Sequence, residues 1–240
     1  MAATLDNAAI WPLVIGKARG HGSTAAGAPV LTAYDQGART ELSAVTLANA
    51  VAKAANALVD EADIEPGDKV AVELPWHWQR CVWLLACWSA GATVVLGSDS
   101  APARLRLVGP AVEPTTGGVD GTWAVSMHPL GMPLPEVPPG VEDAVVLARA
   151  GADEFLAPSQ VGPALSHLDQ QSAVDLVRTS LAEHGPATRL LIPGELDDPK
   201  LAALVLAIAP VLPGVSLVIT DSLAGQQCDE LAHQESATLW

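Results

Sequence analysis

Apolar positions along the chain follow one pattern twice, with an offset of roughly 120 residues between the two copies. The first copy predicts a helix, a strand, a second helix and a second strand, because apolar side chains recur at helical spacing in the longer segments and form short runs in the others. Pro66-Gly67-Asp68 ends the first helix, and Gly91 ends the second. The expected spans are 43–60, 69–74, 76–90 and 92–96.

The second copy repeats this order of elements. We expect Ser172 to cap its first helix, and Asp198, with Pro199 at the first helical position, to cap its second. Its strands are expected at 189–192 and 215–219. Alternating helices and strands favour right-handed crossovers and parallel pairing. The sequence therefore predicts an α/β fold with two related lobes, in which mainly parallel sheets are covered by helices.

Residues 109–140, between the two copies, are dense in proline and glycine. This composition argues against a long helix and predicts a connector with at most short strands, such as Thr122–Ser126. We therefore expect a first α/β lobe at 1–108, the connector at 109–140 and a second α/β lobe at 141–240. The two lobes could also pack as one domain.

Charge excludes two classes of partner. The 12 basic and 27 acidic residues give a net charge of −15, and there is no basic stripe that could neutralise phosphates. Nucleic acid and anionic membrane surfaces are therefore not expected as partners. Cys81, Cys87 and Cys228 form no CxxC pair, and the six histidines form no HxH or HxxxH pair, so neither a disulfide framework nor a metal site is expected.

The two long apolar segments, 81–97 and 201–220, contain glycine or proline where a helix would end. A helix followed by a strand fits them better than a membrane span does. The first residues of the chain lack the basic and apolar regions of a signal peptide. We therefore expect a cytoplasmic protein without a membrane span.

Several motifs carry a family resemblance. Thr40–Leu47 resembles an "LTYxEL" start, Ser89–Asp99 a "KAGAAYVPID" strand, and Ala101–Leu105 a "YPxxRL" helix start. Leu191–Pro193 and Val211–Val218 resemble a later "PL…LLxGAxVV" segment. These are motifs of the N-terminal domain of the adenylate-forming (AMP-binding) family, which includes acyl-CoA synthetases, peptide-synthetase adenylation domains and luciferases. More particularly, the chain resembles a group of short actinobacterial proteins that keep only part of this domain.

The family's phosphate loop has no counterpart in this sequence. In the family, a loop of the form SGTTGxPK precedes a "GVxxSH" helix start, and its backbone N–H groups, with a cation, offset the charge of the departing pyrophosphate. Gly162–His167 resembles that helix start, but residues 155–161 contain neither lysine nor glycine. The chain also ends before the family's adenine and magnesium motifs and its C-terminal domain. The resemblance therefore implies a pseudoenzyme with no catalytic residues.

Two further motifs suggest a functional site but have simpler structural explanations. Gly16–Thr24 resembles a phosphate cradle in composition, but it misses the GxxxxGK[ST] order and follows no strand, so we expect a flexible N-terminal loop. Ser166 and His167 are adjacent and belong to no GxSxG elbow, so they do not form a nucleophile and base. No cofactor is predicted. If a nucleotide binds, Ser159, Ser166 and His167 are the candidate contacts.

Trp76, Trp78, Trp83 and Trp88 form an aromatic cluster. Trp76 and Trp83 lie seven residues apart on one helical face, which favours core packing. A lobe without the rest of its parent fold would nevertheless expose surface that was once buried. Trp76, His77 and Trp78 are therefore candidates for a partner surface, because tryptophan is enriched at binding hot spots. A protein partner or self-association is expected.

Three functions stay open from the sequence. The first is a non-catalytic interaction or scaffold module derived from the adenylate-forming fold. The second is a module that binds a nucleotide or an acyl metabolite in a crevice at the carboxyl ends of the parallel strands. The third is residual adenylate-forming ligase activity, completed by another subunit.

Overall fold

A computed structural model of the chain describes residues 6–20, 27–35, 37–97, 102–111, 119–185, 188–194, 196–220 and 225–240. Its strands are β1 (Asp6–Asn7), β2 (Pro29–Asp35), β3 (Ala38–Ser43), β4 (Lys69–Glu73), β5 (Thr93–Leu96), β6 (Ala103–Val108), β7 (Val119–Ala124), β8 (Glu142–Asp143), β9 (Gln160–Val161), β10 (Arg189–Ile192), β11 (Ser216–Thr220) and β12 (Thr238–Leu239). Its helices are α1 (Ile10–Ala18), α2 (Ala44–Asp60), α3 (Trp78–Ser89), α4 (Ala144–Ala150), α5 (Gln170–Glu183), α6 (Pro199–Ile208) and α7 (Gln226–Gln234).

Most of these strands form two five-stranded sheets. The first sheet has the order β5-β4-β6-β7-β8 and is parallel throughout. The second sheet has the order β12-β10-β11-β2-β3, and only its β2–β3 pair is antiparallel. The α/β fold with mainly parallel sheets is therefore confirmed.

The repeat predicted from the apolar pattern is present in the structure. The first copy is α2-β4-α3-β5, and the second is α5-β10-α6-β11. Both strand pairs, β4–β5 and β10–β11, are parallel as predicted. The short runs became strands because their side chains are buried on both faces, as parallel sheets require.

One of the predicted helix caps is confirmed and one is wrong. The Asp198 carboxylate accepts hydrogen bonds from the backbone of Lys200 and Leu201, and Pro199 is the first residue of α6. Ser172, however, lies inside α5. The cap is Asp169, whose carboxylate accepts from the Ser172 backbone at 2.7 Å and from its hydroxyl at 2.6 Å. The hydrogen bond from that hydroxyl lowers the pKa of Asp169.

The predicted helix start at Ala101–Leu105 is wrong where the structure describes it. Residues 103–108 form β6, while residue 101 lies outside the described part. Arg104 and Arg106 alternate with the buried Leu105 and Leu107. An alternation of period two fits a half-buried strand better than a helix.

Strand pairing does not follow the predicted lobe boundaries. The β2–β3 hairpin lies within residues 1–108, but β2 pairs with β11 in the second sheet. The first sheet in turn includes β7, inside the predicted connector, and β8, beyond it. Strand β7 confirms that the connector contains a short strand near Thr122. The division into domains at 108 and 141 stays a prediction.

Helix α3 lies at the centre of the molecule. All of its residues are buried, and it contacts β4 and β5 of the first sheet and β2 of the second, as well as α2 and α6. A mostly apolar helix that is buried on every side is stable only when other elements surround it. Trp83 and Trp88, at most 1% exposed, fill this interior. None of the described helices has both the length and the apolar composition to cross a bilayer.

Candidate functional site

The resemblance predicts that residues 155–161 stand where the family has its phosphate loop. The ring of Phe155 packs edge-on against Trp11 of α1, with ring centroids 5.5 Å apart. Both rings line a concavity of about 560 Å³ beside α1. Leu156 is 95% exposed, and Ser159 is exposed as well. The segment therefore presents an apolar surface beside α1.

Backbone pairing fixes the end of this segment to the first residues that the structure describes. The carbonyl oxygen of Ser159 accepts a hydrogen bond from the backbone N–H of Ala8 at 3.2 Å. Strands β1 and β9 pair antiparallel, with Asp6 opposite Val161 and Asn7 opposite Gln160. The backbone N–H and carbonyl groups of these residues form hydrogen bonds with one another, so fewer of them are available to a ligand.

The chain then continues along the edge of the first sheet, beside β5. Gly162 donates its N–H to the carbonyl oxygen of Gly91 at 2.8 Å. The carbonyl oxygen of Ala164 accepts from the backbone of Val94 at 3.1 Å and from Nε1 of Trp88 at 2.8 Å. Residues 162–164 thus cover a sheet edge that would otherwise be unpaired.

Ser166 and His167 lie in a tight turn rather than at a helix start. Leu165 and Leu168 exchange backbone hydrogen bonds of 3.2 and 2.8 Å across the turn, and α5 begins only at Gln170. The prediction that residues 162–167 begin a helix is therefore wrong by three residues. Both Ser166 and His167 are exposed.

The turn forms one wall of a concavity of about 280 Å³. Ser166 and His167 line it together with Lys200 of α6, with Asp198, which caps that helix, and with leucine side chains from α5 and α6. Ser159 is not among the residues that line it. The structure thus brings two of the three candidate nucleotide contacts together and leaves the third apart. A nucleotide contact at these residues stays a prediction.

Gln170, at the start of α5, joins three elements below this turn. Its side chain is 1% exposed. Its carbonyl oxygen accepts from the backbones of Ala9 and Ile10, at the start of α1, at 3.1 Å each. Its amide nitrogen donates to the carbonyl oxygen of Trp88, at the end of α3, at 2.8 Å. Sequence reasoning missed this residue, since a glutamine in the first turn of a helix is usually solvated.

The glycine-rich segment 16–24 is only partly a loop. Gly16, Lys17 and Ala18 belong to α1, while residues 21–26 lie outside the described part. Lys17 is 3% exposed, and its Nζ donates to the carbonyl oxygens of Leu212 at 2.6 Å and Val215 at 2.9 Å. Burial lowers the pKa of Lys17. This lysine therefore connects α1 to the loop before β11 and is not part of a phosphate cradle.

The three candidates for a partner surface are mostly buried. Trp76 and Trp78 are each 9% exposed and His77 is 3% exposed. Nε1 of Trp78 donates to the carbonyl oxygen of Pro129 at 3.1 Å. Trp78 borders a concavity of about 210 Å³ between α2, α3 and α4, whereas Trp76 and His77 border another one. Only a small part of each side chain is exposed, and these parts lie in two concavities rather than in one flat aromatic patch. A role of these residues in binding a partner stays a prediction.

The concavity at Trp76 and His77 has a volume of about 580 Å³ and lies at the carboxyl ends of β4 and β6. Asp35, which follows β2's buried residues, contributes a carboxylate whose Oδ2 lies 4.0 Å from Nε2 of His77. Sequence reasoning singled out the tryptophan and the histidine but missed Asp35. The available signal was its place at the carboxyl end of a strand, where α/β folds position ligands.

A second polar cluster sits on the other sheet, around Glu235. The Glu235 side chain is 7% exposed and is paired with Arg39 at 2.9 Å and with Arg189 at 2.6 Å. The Tyr34 hydroxyl donates to Glu235 as well. Burial raises the pKa of Glu235, but the hydrogen bonds from Arg39, Tyr34 and Arg189 outweigh burial and lower that pKa to about 2. The charged groups of this cluster are paired with one another, which indicates a structural role.

The sequence and the structure are similar to those of known proteins. The family model of the AMP-binding enzyme matches residues 22–108. A TIGR03089 family protein of Mycobacterium tuberculosis (strain ATCC 25618 / H37Rv) is 36% identical over 191 residues, which are 73% of this chain and 79% of the relative.

Two solved structures share the fold. The acyl-CoA synthetase of Brucella canis has a TM-score of 0.69 at 17% identity, and the match covers 99% of this chain and 47% of the synthetase. The long-chain-fatty-acid-CoA ligase FadD1 of Archaeoglobus fulgidus has a TM-score of 0.72 at 13% identity, covering 100% of this chain and 52% of the ligase. The chain spans about half the length of these structures. It belongs to the TIGR03089 family and has an adenylate-forming-like α/β fold, similar to that of acyl-CoA synthetases.

Proposed function

We propose that this chain is a non-catalytic protein of the adenylate-forming fold that acts as an interaction or scaffold module. The observation that supports this most is the occupation of the phosphate-loop position. The end of the segment at that position, Gln160–Val161, pairs with β1. Directly after it, the backbone N–H groups of Gly162, Leu165 and Leu168 donate within the chain, to Gly91 and across the turn. Residues 155–161 also contain no lysine or arginine.

The pairing of these N–H groups matters for catalysis because negative charge develops on the departing pyrophosphate during adenylation. Donors that are preorganised toward that charge usually make the largest contribution to such a step. To donate to a phosphate, the N–H of Gly162 would have to give up its bond to Gly91, and the sheet edge beside β5 would be uncovered. The cost of leaving a buried backbone group unpaired is about 1–3 kcal/mol.

The interaction role is supported by the apolar surface of the same segment. Leu156 is almost fully exposed next to the Trp11–Phe155 pair. Aromatic side chains are enriched at protein–protein interfaces, and the exposed leucine beside this pair enlarges the apolar area that a partner would cover. Self-association and a cytoplasmic location are parts of the same proposal.

Pull-down with size-exclusion chromatography tests the interaction role. We expect the wild-type chain to elute with a partner or as a multimer, and Leu156→Ser to lose that association without losing stability. Leu130→Ser, which changes another exposed leucine (75% exposed) outside this segment, is the matched control. A wild-type chain that is strictly monomeric and recovers no partner, or an association that both variants lose equally, counts against the proposal.

An ATP–pyrophosphate exchange assay with a panel of carboxylic acids tests the absence of catalysis. We expect no exchange above the background without protein. Exchange that depends on one acid would favour residual ligase activity instead, with the missing groups supplied by another subunit.

A second candidate function, the binding of a small metabolite, is favoured by the concavity of about 580 Å³ at the carboxyl ends of β4 and β6. Its size lies within the range of small-molecule sites. A ligand at 100 times its dissociation constant would stabilise the fold by about 2.7 kcal/mol. Thermal unfolding with ATP, AMP, CoA, fatty acids and small polar metabolites measures this, and a melting temperature unchanged by all of them rejects this function.

A further inference from the structure

Helix α1 lacks the polar outer face that a surface helix usually has. Its inner side packs into the core through Ile10, Val14 and Lys17, which are at most 3% exposed. On its outer side, Trp11 and Ile15 lie one turn apart and are only half-buried. Surface helices normally carry charged or polar residues on the side that faces water. The outer side of α1 is therefore an apolar surface that remains partly exposed.

This outer side borders the concavity of about 560 Å³ beside α1. Trp11, Ile15 and Phe155 provide apolar parts of its wall. Leu156 follows Phe155 directly and is 95% exposed, so it projects from the same face. An apolar hollow and an apolar projection thus lie side by side. A two-fold symmetric contact needs both on one surface, because that surface must serve each of the two copies.

The charges around this concavity cancel. Arg19 and Glu154 both line it and are exposed, and neither forms an ion pair with any residue in the described part of the chain. Asp153, the other charged residue of the lining, is paired with Lys53 at 3.1 Å. The chain as a whole has a net charge of −15. This neutral patch is therefore a place where a second copy can approach without local repulsion.

A second copy also satisfies the two unpaired charges. A two-fold rotation brings the same patch to face itself, so that an arginine and a glutamate on one copy can meet a glutamate and an arginine on the other. A strongly basic or strongly acidic partner would leave one of the two charges facing its own sign. Repulsion between the acidic surfaces elsewhere is screened beyond about 8 Å at physiological ionic strength.

We infer that two copies of this chain associate about a two-fold axis through this face. Leu156 of each copy covers the Trp11–Phe155 pair of the other, and Arg19 of each copy pairs with Glu154 of the other. This inference rests on the proposed interaction role and names its partner, a second copy of the same chain.

Sedimentation velocity of the full chain over a range of protein concentrations tests the oligomeric state. We expect a reversible monomer–dimer equilibrium at physiological ionic strength and no larger species, because a two-fold contact closes on itself. Leu156→Ser should shift this equilibrium toward the monomer, and Leu130→Ser should not.

Charge reversal tests the orientation of the two copies. Arg19→Glu and Glu154→Arg each replace two attractive pairs with two repulsive ones, and each should weaken the dimer about tenfold, since exposed pairs contribute little individually. In an equimolar mixture of the two variants, both pairs again join opposite charges. The mixture should therefore form dimers as tightly as the wild-type chain does.

Overall charge is controlled separately. Arg178→Glu on α5 changes the net charge by the same amount as Arg19→Glu, lies at an exposed ion pair outside this patch, and should leave the dimer unchanged. Glu154→Arg makes the chain less negative, so a weaker dimer of this variant cannot come from general repulsion. Thermal unfolding of each variant confirms that it is folded.

The outcomes separate this inference from the interaction role. A chain that stays monomeric while the pull-down recovers a different protein overturns the inference but leaves the interaction role standing. A dimer that neither charge reversal weakens, or a mixture that does not restore association, also overturns it, because the copies then meet through another face. If the chain stays monomeric and recovers no partner, both fail together.

Discussion

Gly162 and Gly67 donate their backbone N–H groups to the same acceptor, the carbonyl oxygen of Gly91, at 2.8 and 2.9 Å. A Cβ atom on Gly162 would lie 2.8 Å from Cα of Gly67 and 2.8 Å from Oγ1 of Thr93. Both distances are shorter than non-bonded contacts allow. The chain directly after residues 155–161 can therefore approach the first sheet only because residue 162 has no side chain.

We expect Gly162→Ala to lower the free energy of unfolding by about 2 kcal/mol or more, because the backbone around it must shift. Gly121→Ala is the matched control in strand β7, where the nearest atom to an added Cβ is a methyl group of Leu105 at 3.6 Å. Urea unfolding followed by circular dichroism measures both. Equal stability of the two variants would contradict the close approach.

Gln170 provides a second test of how this region is held. Replacing it with alanine leaves the N–H groups of Ala9 and Ile10 without their acceptor. It also removes one hydrogen bond from the carbonyl oxygen of Trp88, which still accepts from the backbone of Gly91. We expect a loss of about 2–3 kcal/mol of stability. The side chain of the neighbouring Gln171 donates to the exposed Asp175, so Gln171→Ala should change little. Hydrogen exchange of the first turn of α1 should accelerate in Gln170→Ala alone.

Glu235 makes stability depend on pH in the acidic range. Its pKa in the folded chain is about 2, below the ordinary value of 4.5. The unfolded chain therefore binds the proton more readily, so this stabilisation is fully present above about pH 5 and is lost as the pH falls toward 2. We expect it to amount to about 1–2 kcal/mol, because water still reaches part of the network.

Glu235→Gln should lower the free energy of unfolding at pH 7. It should also reduce the loss of that free energy between pH 5 and pH 2. Glu183→Gln removes one exposed carboxylate from α5 and serves as the control for net charge. Chemical unfolding of the three proteins at a series of pH values gives the comparison. A wild-type decline that Glu235→Gln does not reduce would assign the acid sensitivity to other groups.

Lys17 should matter for stability and not for nucleotide binding. Lys17→Met keeps the apolar part of the side chain but leaves the carbonyl groups of Leu212 and Val215 without their buried donor. We expect a loss of about 1–3 kcal/mol. Lys200→Met, at an exposed position of α6, should have little effect on stability. A Lys17→Met protein of unchanged stability would reopen the interpretation of residues 16–24 as a ligand site.

The repeated helices and strands could be predicted from the sequence because local signals defined them. The turn at Pro66-Gly67-Asp68, the glycine after α3 and the Asp198-Pro199 start of α6 act within a few residues. Apolar runs of four or five residues between these turn and cap signals favour a buried strand. These elements match the structure within about two residues, apart from the start of α5, whose cap lies three residues before the predicted one.

Several of the errors come from contacts that are distant in sequence. The β2–β3 hairpin has weak local signals, and its place beside β11 depends on residues 217–220. Lys17 looks like a ligand-binding residue until its two carbonyl partners, far along the chain, are known. The same holds for the candidate site, since Asp35 meets His77 only through the pairing of β2 with the second sheet. The hydrophobic periodicity of a single segment cannot predict a contact between residues so far apart in sequence.

The placement of β2 has a consequence for the order in which the molecule can assemble. The first sheet is built from one continuous stretch, 69–143, and can pair its strands as soon as that stretch has left the ribosome. The β2–β3 hairpin emerges earlier, yet its partner β11 is synthesised near the end. Until then the edge of β2 that β11 will cover stays open to other chains, as exposed strand edges generally are. We therefore expect nascent chains that stop before residue 216 to aggregate more readily than the complete chain.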